Sequence, residues 1–170
     1  MNSKLIKDII IEAEGFRAIK YRCSKGIPTI GYGRTWLSDD ECIRLGVESF
    51  NDLALITQER ARWLLDRDIL RCIGELQEKL SYFSMLPSEV QIVLVDLCFN
   101  LGINRLMKFR NMIRYISLGE YSNASIELLD SNYASDVKGR ALRNSIALST
   151  GKFVDLEVCR KMWDELKRRV

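Results

Sequence analysis

The 170-residue sequence contains no histidine, and this absence excludes several kinds of active site. Ser-His-Asp hydrolases and Cys-His proteases use an imidazole as their base, and the common catalytic zinc sites contain at least one histidine. Acid–base chemistry in this chain must therefore come from Asp, Glu, Cys, Tyr or Lys side chains.

Closely spaced cysteine pairs are also missing. The sequence has five cysteines, which are too scattered for the C-x-x-C pairs of an all-cysteine zinc site: Cys23, Cys42, Cys72, Cys98 and Cys159. Their odd number and their scatter are typical of a protein that folds in a reducing cytosol, not of a disulfide scaffold. The sequence therefore predicts neither a metal nor a cofactor.

Long apolar runs and dense basic stripes are absent as well. The N-terminal stretch MNSKLIKDIIIEAEG has an apolar run only at residues 9–11, which fits neither a signal peptide nor a membrane span. We expect a soluble protein that is made in the cytoplasm. The net charge of +3 would favour an anionic polymer, but without an aromatic stacking array we expect no nucleic-acid partner.

Hydrophobic periodicity predicts a mainly α-helical chain with one small sheet. Apolar residues at helical spacing indicate helices at 3–13, 58–80, 87–102, 105–117, 120–130, 136–149 and 153–168. Residues 16–34 are rich in strand formers, with a candidate turn at 24–26, and predict two or three antiparallel strands. Helix 87–102 is apolar on nearly every side, which is typical of a buried central helix.

The fold class that follows is α+β, mainly α, in a single domain over residues 1–170. We expect an N-terminal lobe at about residues 12–60 with the sheet, and a helical lobe at about 75–170 that includes residues 1–11. The long helix 58–80 would join the two lobes.

Three side chains around the predicted hairpin are candidates for chemistry. Glu14 ends the first helix, where the helix dipole disfavours a negative charge and so favours the protonated form that a general acid needs. Cys23 and Thr29 follow within the predicted strands and could meet Glu14 on one side. Each also has an ordinary interpretation: a surface carboxylate, a small buried hydrophobe and a strand-forming threonine.

The spacing of these residues resembles the signature of the phage-type lysozymes, the endolysins of glycoside hydrolase family 24. The pattern E-G-x5-Y-x-[D/C]-x-x-G-x-x-T-x-G-x-G is matched by Glu14, Gly15, Tyr21, Cys23, Gly26, Thr29, Gly31 and Gly33. The segments ITQERA, CFNLG, NYASDVKGRALR and STGKF are similar to later parts of the family, so that the resemblance covers roughly residues 5–155.

The resemblance implies a two-lobed lysozyme-like fold and cleavage of the β-1,4 bond between N-acetylmuramic acid and N-acetylglucosamine in peptidoglycan. Glu14 would be the general acid, and Thr29 would help to position water on the opposite face of the sugar. The position of Cys23 is usually Asp, and the usual histidine after G-x-G is replaced by Arg34. We therefore expect Arg34 to pair with a carboxylate, either Glu14 or those at Asp66 and Asp68.

A thiol in place of the carboxylate would have to act as a thiolate. Glycoside hydrolysis passes through an oxocarbenium-like state that a carboxylate stabilises, and a neutral thiol is a poor substitute. We hypothesise that Cys23 is a thiolate nucleophile or a base that orients water; the sequence does not decide between these.

Five further residues are predicted to bind substrate. Tyr32 and Arg34 would lie at the edge of the sheet, Asn100 in the central helix would face the sugar from the other lobe, and Tyr133 and Arg140 would line the site or contact the peptide stem. Packing or solvation is the ordinary explanation for each. For Asn100, a polar residue in an apolar helix needs a partner, and a substrate site would supply one.

The resemblance also implies partners and a setting. The substrate would be peptidoglycan, the protein is expected to be a monomer, and a holin or an equivalent export route would give it access to the wall. Three competing hypotheses are a wall-binding protein with weak or no activity, a secreted antibacterial effector and an unrelated helical interaction or nucleic-acid-binding protein.

Overall fold

The computed structural model describes residues 2–23 and 26–168. These residues form ten α-helices and one two-stranded antiparallel sheet, joined by loops. The strands are β1 (Arg17–Arg22) and β2 (Pro28–Gly31). The helices are α1 (Ser3–Glu14), α2 (Asp39–Leu45), α3 (Gln58–Lys79), α4 (Ser88–Leu101), α5 (Ile103–Leu106), α6 (Arg110–Ser117), α7 (Tyr121–Leu129), α8 (Asn132–Val137), α9 (Gly139–Thr150) and α10 (Leu156–Arg168). Short 3-10 helices lie at Phe50–Asp52 and Phe83–Met85. The predicted mainly-α lysozyme-like class is confirmed.

The predicted helices agree with the structure along most of the chain and differ at two breaks. The helix expected at 105–117 is interrupted after α5, and the one expected at 136–149 is preceded by a separate helix, α8. The short helix α2 was not predicted. Within the described ranges, no helix combines the length and the apolar character that crossing a bilayer requires.

The chain divides into two compact units. Residues Lys7–Leu70 form one, here called the sheet unit, and Met1–Ile6 with Arg71–Val170 form the other, the helical unit. The sheet unit contains both strands, α2 and the first part of α3. The helical unit contains the end of α3 and all later helices.

The hairpin in the sheet unit is irregular, and a distant segment fills the irregularity. Arg17 pairs with Gly31 and Tyr21 with Thr29, so that β1 carries extra residues between these pairs. Residues 54–56 run beside this bulge: the N–H of Lys20 donates to the carbonyl of Ala54 (3.0 Å), and a further bond joins residues 56 and 18. The expectation that residues 16–34 hold all of the β-structure was wrong, because β1 finds this third partner outside that range. Part of the predicted 24–26 turn lies outside the described residues.

The helical unit is organised around α4, as the apolar pattern of its sequence predicted. Every residue from Ile92 to Cys98 is buried, including the carboxylate of Asp96, which has no exposed surface. Arg140 on α9 donates to Asp96 twice, from Nε (3.1 Å) and Nη2 (2.9 Å), and Asn144 donates from Nδ2 (2.7 Å). Burial alone would raise the pKa of Asp96, but the charge and the hydrogen bonds of Arg140 have the larger effect. The pKa therefore lies below its usual value, and the carboxyl stays ionised.

Close packing explains the break between α8 and α9. Lys138 has φ 50°. Among the residues that the structure describes, all others with a positive φ are glycines. Lys138 is followed by Gly139, where a Cβ atom would lie 2.7 Å from Cγ and 2.8 Å from Cα of Arg160 on α10. The chain therefore bends sharply at Lys138 and brings a residue without a side chain against the backbone of α10.

We predict that Gly139→Ala destabilises the helical unit while Gly74→Ala does not. Because the clash at position 139 involves backbone, α10 must move, and overpacking of this kind costs about 1–3 kcal/mol in the free energy of unfolding. Gly74 is an exposed residue inside α3 with no atom within 4 Å of an added Cβ, so that alanine should stabilise by up to about 1 kcal/mol. Urea unfolding of both variants tests this; equal stabilities would contradict the packing argument.

Candidate active site

Glu14 is held against the tight turn that follows β2. It is the last residue of α1 and is half-buried. A Cβ atom at Gly33 would lie 3.1 Å from Oε2 of Glu14, and the φ of Gly33 is 85°, a value that favours glycine. The missing side chain at position 33 thus makes room for the carboxylate.

The turn itself is closed by two reciprocal backbone bonds. The N–H of Ile30 donates to the carbonyl of Arg34 and the N–H of Arg34 donates to the carbonyl of Ile30, each at 2.9 Å. This pair fixes residues 31–33 as a short loop, so that the position of Gly33 depends on its two ends. The repeat G-Y-G of the sequence is therefore a structural support for Glu14.

Cys23 and Thr29 lie on the same face of the hairpin. Tyr21 and Thr29 are opposite partners, and the N–H of Cys23 donates to the carbonyl of Ile27 (3.0 Å), which continues the ladder by one step. Because alternate residues of a strand point to the same face, Cys23 and Thr29 are diagonal neighbours, typically about 7–8 Å apart. Arg22, whose side chain points to the other face, donates to the carbonyl of Gly26 (2.7 Å).

The two hairpin residues differ in exposure. Cys23 is half-buried, and it is the most accessible of the five cysteines, since the other four are buried. The side chain of Thr29 is buried, and its hydroxyl donates to the carbonyl of Ile27 (2.9 Å). Since a hydroxyl has one proton, the Thr29 oxygen can only accept a hydrogen bond from any further partner.

Arg34 is the centre of a buried ion network. Its guanidinium donates from Nη1 to Asp68 on α3, from Nη2 to Glu41 on α2, and from Nε to the carbonyl of Trp36 (2.7 Å). All three charged side chains are buried, and the guanidinium also lies over the Trp36 ring at 4.5 Å. The expected pairing with the 66–68 region is correct at Asp68. Asp66 instead pairs with Lys7 (2.5 Å).

The network continues from Glu41 to the surface. Arg67 donates to Glu41 Oε1 (2.9 Å) and to Asp40 (2.6 Å), and the N–H of Ser38 donates to Glu41 Oε2 (2.9 Å). Burial raises the pKa of Glu41, but the Ser38 N–H and the charge of Arg34 together lower it below its usual value. Glu41 is therefore ionised, and its charge is shared between two guanidinium groups.

A family model for phage lysozyme matches residues 11–146, a range that contains the Glu14 helix end, the hairpin and the Arg34 network. The chain belongs to the phage lysozyme family. The match covers well over half of the chain, and it agrees with the resemblance that the hairpin residues carry.

Two curated relatives of this phage lysozyme family member are phage proteins. The pre-baseplate central spike protein Gp5 of Enterobacteria phage T4 is 26% identical over 151 residues, which is 81% of this chain. The chain spans about a quarter of the length of that protein, 26%. An endolysin of Acyrthosiphon pisum secondary endosymbiont phage 1 is 27% identical over 121 residues, covering 71% of this chain and 73% of the endolysin.

The structure places four of the five predicted substrate-binding residues in the interior. Tyr32 is buried beside the Phe16 ring, with its hydroxyl accepting from Gln58 (3.3 Å), and Arg34 is held by the ion network. Tyr133 is buried edge-on to a neighbouring ring, and Arg140 is bound to Asp96 in the helical unit. Their positions favour packing and charge compensation rather than contact with a sugar.

Asn100 is exposed near the end of α4, so the reason given for its role was wrong. Water can satisfy an exposed amide, whereas the polar side chain of this helix that needs a protein partner is Asp96, four residues earlier. Sugar binding by Asn100 stays a prediction. Sequence reasoning also missed Glu41, although the S-x-x-E spacing of Ser38 and Glu41 is a helix-capping signal.

We predict that Arg34→Met strongly destabilises the sheet unit. Removing the guanidinium leaves Asp68 and Glu41 as buried charges with a lost partner, and breaking a buried pair in this way costs about 3–5 kcal/mol. Arg44→Met is the matched control: Arg44 is exposed and lies over the Trp63 ring, a contact worth about 1 kcal/mol or less. Thermal unfolding of both variants measures the difference. Comparable losses would show that the network does not support the unit.

Proposed function

We propose that this protein hydrolyses the β-1,4 bond between N-acetylmuramic acid and N-acetylglucosamine in peptidoglycan. The observation that carries the proposal is the half-buried carboxylate of Glu14, packed on Gly33 in a chain of the phage lysozyme family. In this proposal Glu14 donates its proton to the glycosidic oxygen as the bond breaks. The endolysin relative supports the choice of cell-wall substrate.

The remaining catalytic work falls to the hairpin face that carries Cys23 and Thr29. The Thr29 hydroxyl donates its proton to the Ile27 carbonyl, and its oxygen keeps lone pairs that can accept a hydrogen bond from a water molecule. Such a contact would hold the water for attack on the anomeric carbon. Cys23, on the same face and half-exposed, is the group that could supply negative charge there as a thiolate.

Two versions of the Cys23 step remain, and they give different products. As a nucleophile, the sulfur would form a bond to the anomeric carbon while the glycosidic C–O bond breaks, and water would then displace the sulfur with net retention. As a base, the sulfur would take a proton from a water that attacks directly, with inversion. Analysis of the product anomer by NMR distinguishes the two.

We predict that Glu14→Gln abolishes lysis. A glutamine keeps the size of the side chain but has no acid proton, and loss of a general acid typically lowers the rate by about 10²- to 10⁴-fold. Glu12→Gln, on the exposed side of the same helix, is the control and should keep wild-type activity. The measurement is loss of turbidity of bacteria with a permeabilised outer membrane. Lysis by Glu14→Gln at the wild-type rate would refute the proposal.

We predict that Cys23→Asp lyses cell walls and Cys23→Ala does not. Aspartate supplies the negative charge that the mechanism needs, whereas alanine removes both charge and nucleophile, with a loss of about 10²-fold or more. Because Cys23 is the most accessible thiol, an alkylating reagent should inactivate the wild type and leave Cys23→Asp active. Full activity in Cys23→Ala would show that the thiol has no catalytic role.

A wall-binding protein without activity is the second candidate function. The thiol of Cys23, which stands where a carboxylate would serve catalysis better, is the observation that favours it. Such a protein would bind purified peptidoglycan in a sedimentation assay but release no reducing sugar, in wild type and Glu14→Gln alike.

We further propose that access to the wall in the cell depends on a holin or an equivalent export route, as the resemblance to the endolysins implies. Expression with and without a holin tests this separately from catalysis, because the purified protein would lyse permeabilised bacteria in either case.

A further inference from the structure

Two buried thiols and a carboxylate converge in the helical unit, outside the candidate active site. Cys72 and Glu75 lie three residues apart on α3 and so share one face of that helix, while Cys98 is on α4. One ligand atom from each residue lies within 4.8 Å of the other two. The Cys98 thiol donates to Oε2 of Glu75 at 3.5 Å.

We propose that Cys72, Glu75 and Cys98 bind a soft divalent metal ion of the Zn²⁺ class. Thiolate sulfur and carboxylate oxygen are ligands that zinc accepts, with bonds of about 2.3 Å and about 2.0–2.2 Å, respectively. A tetrahedron built on such bonds has edges of about 3.3–3.8 Å. The sulfur–oxygen distance of 3.5 Å falls in this range, and the limit of 4.8 Å requires only a small contraction of the cluster.

The surroundings of the cluster fit a metal site that is largely shielded from solvent. Both cysteines are 2% exposed, so their sulfur atoms are shielded from solvent and from other ligands. Glu75 is half-buried, so that part of its side chain is accessible from the surface. Three protein ligands leave the fourth position of a tetrahedron for a water molecule.

The carboxylate favours a metal site over a disulfide. A disulfide between Cys72 and Cys98 would use only the two sulfurs and would leave Glu75 without a role beside them. A bound divalent ion replaces both thiol protons, which pass to solvent, and leaves a cluster with net charge −1 when Glu75 is ionised.

Sequence spacing alone could not reveal this cluster. Residues 72 and 75 have the spacing of a C-x-x-C motif, but the second member is glutamate. The third residue of the cluster, Cys98, is 23 positions further along the chain. The fold supplies the third ligand by placing α4 beside the end of α3.

Cadmium titration of the reduced 170-residue chain tests the proposal. Cd²⁺ binds the same ligands as Zn²⁺ and gives an ultraviolet charge-transfer band when it is bound by thiolates. We expect one equivalent to produce the band, and saturating Zn²⁺ to raise the melting temperature. Cys98→Ser should lose the band. Glu75→Gln should weaken affinity by at least about 10- to 100-fold, since even partners outside the ligand shell contribute this much.

Cys159→Ser is the matched control, because Cys159 is another buried cysteine of the helical unit and should leave the band unchanged. The melting temperature of each variant without metal separates loss of binding from loss of folding. No band in the wild type, or an equal loss in Cys159→Ser, would overturn the proposal. So would the disappearance of two thiols on air oxidation together with no metal response, which would identify a Cys72–Cys98 disulfide instead.

Discussion

The guanidinium of Arg34 is the interaction on which the sheet unit depends. It joins α2 through Glu41 and α3 through Asp68, and its own backbone closes the turn that begins at Ile30. That turn sets the position of Gly33, and the Glu14 carboxylate packs against Gly33. The proposed general acid thus rests on a turn that this charge network supports.

The helical unit also contains a buried ion pair between an arginine and a carboxylate. Asp96 is fully buried in α4, and Arg140 and Asn144 on α9 supply three hydrogen bonds to it. Burying such a pair gains little net stability, because the loss of hydration offsets most of the attraction. Its consequence is specificity: an apolar helix could pack in several rotations, whereas a helix carrying a buried carboxylate packs only where the guanidinium can reach it. We infer that Asp96 fixes the register between α4 and α9.

The sequence predicted well what depends on local pattern. Apolar periodicity located α1, α3, α4 and α10, and the spacing from Glu14 to Gly33 indicated both the hairpin and the family. It failed where a tertiary contact decides. The bulge in β1 exists because residues 54–56 pair there, and the break at Lys138 exists because Gly139 packs on α10. Neither partner is a sequence neighbour.

The same distinction explains the candidate site residues. Polarity in a sequence shows that a side chain needs a partner, but it does not show whether that partner is a ligand, water or protein. Arg34 and Arg140 form ion pairs with buried carboxylates, whereas Asn100 is exposed to solvent. The correct inference for Arg34 was the one based on charge: a group that is always ionised and near carboxylates pairs with one.

The absence of histidine affects how the charge of the Arg34 network depends on pH. An imidazole at position 34 would change its charge near neutral pH and would loosen its hold on Asp68 and Glu41 as it lost its proton. The guanidinium stays charged throughout, so that the turn beneath Glu14 keeps its support at any pH at which the carboxylates are ionised. The central group of the supporting network therefore does not change its charge near neutral pH. In the proposed mechanism the Cys23 thiol acts where a carboxylate would otherwise act. Cys23 lies on the hairpin, whereas the Arg34 network joins residues of α2 and α3.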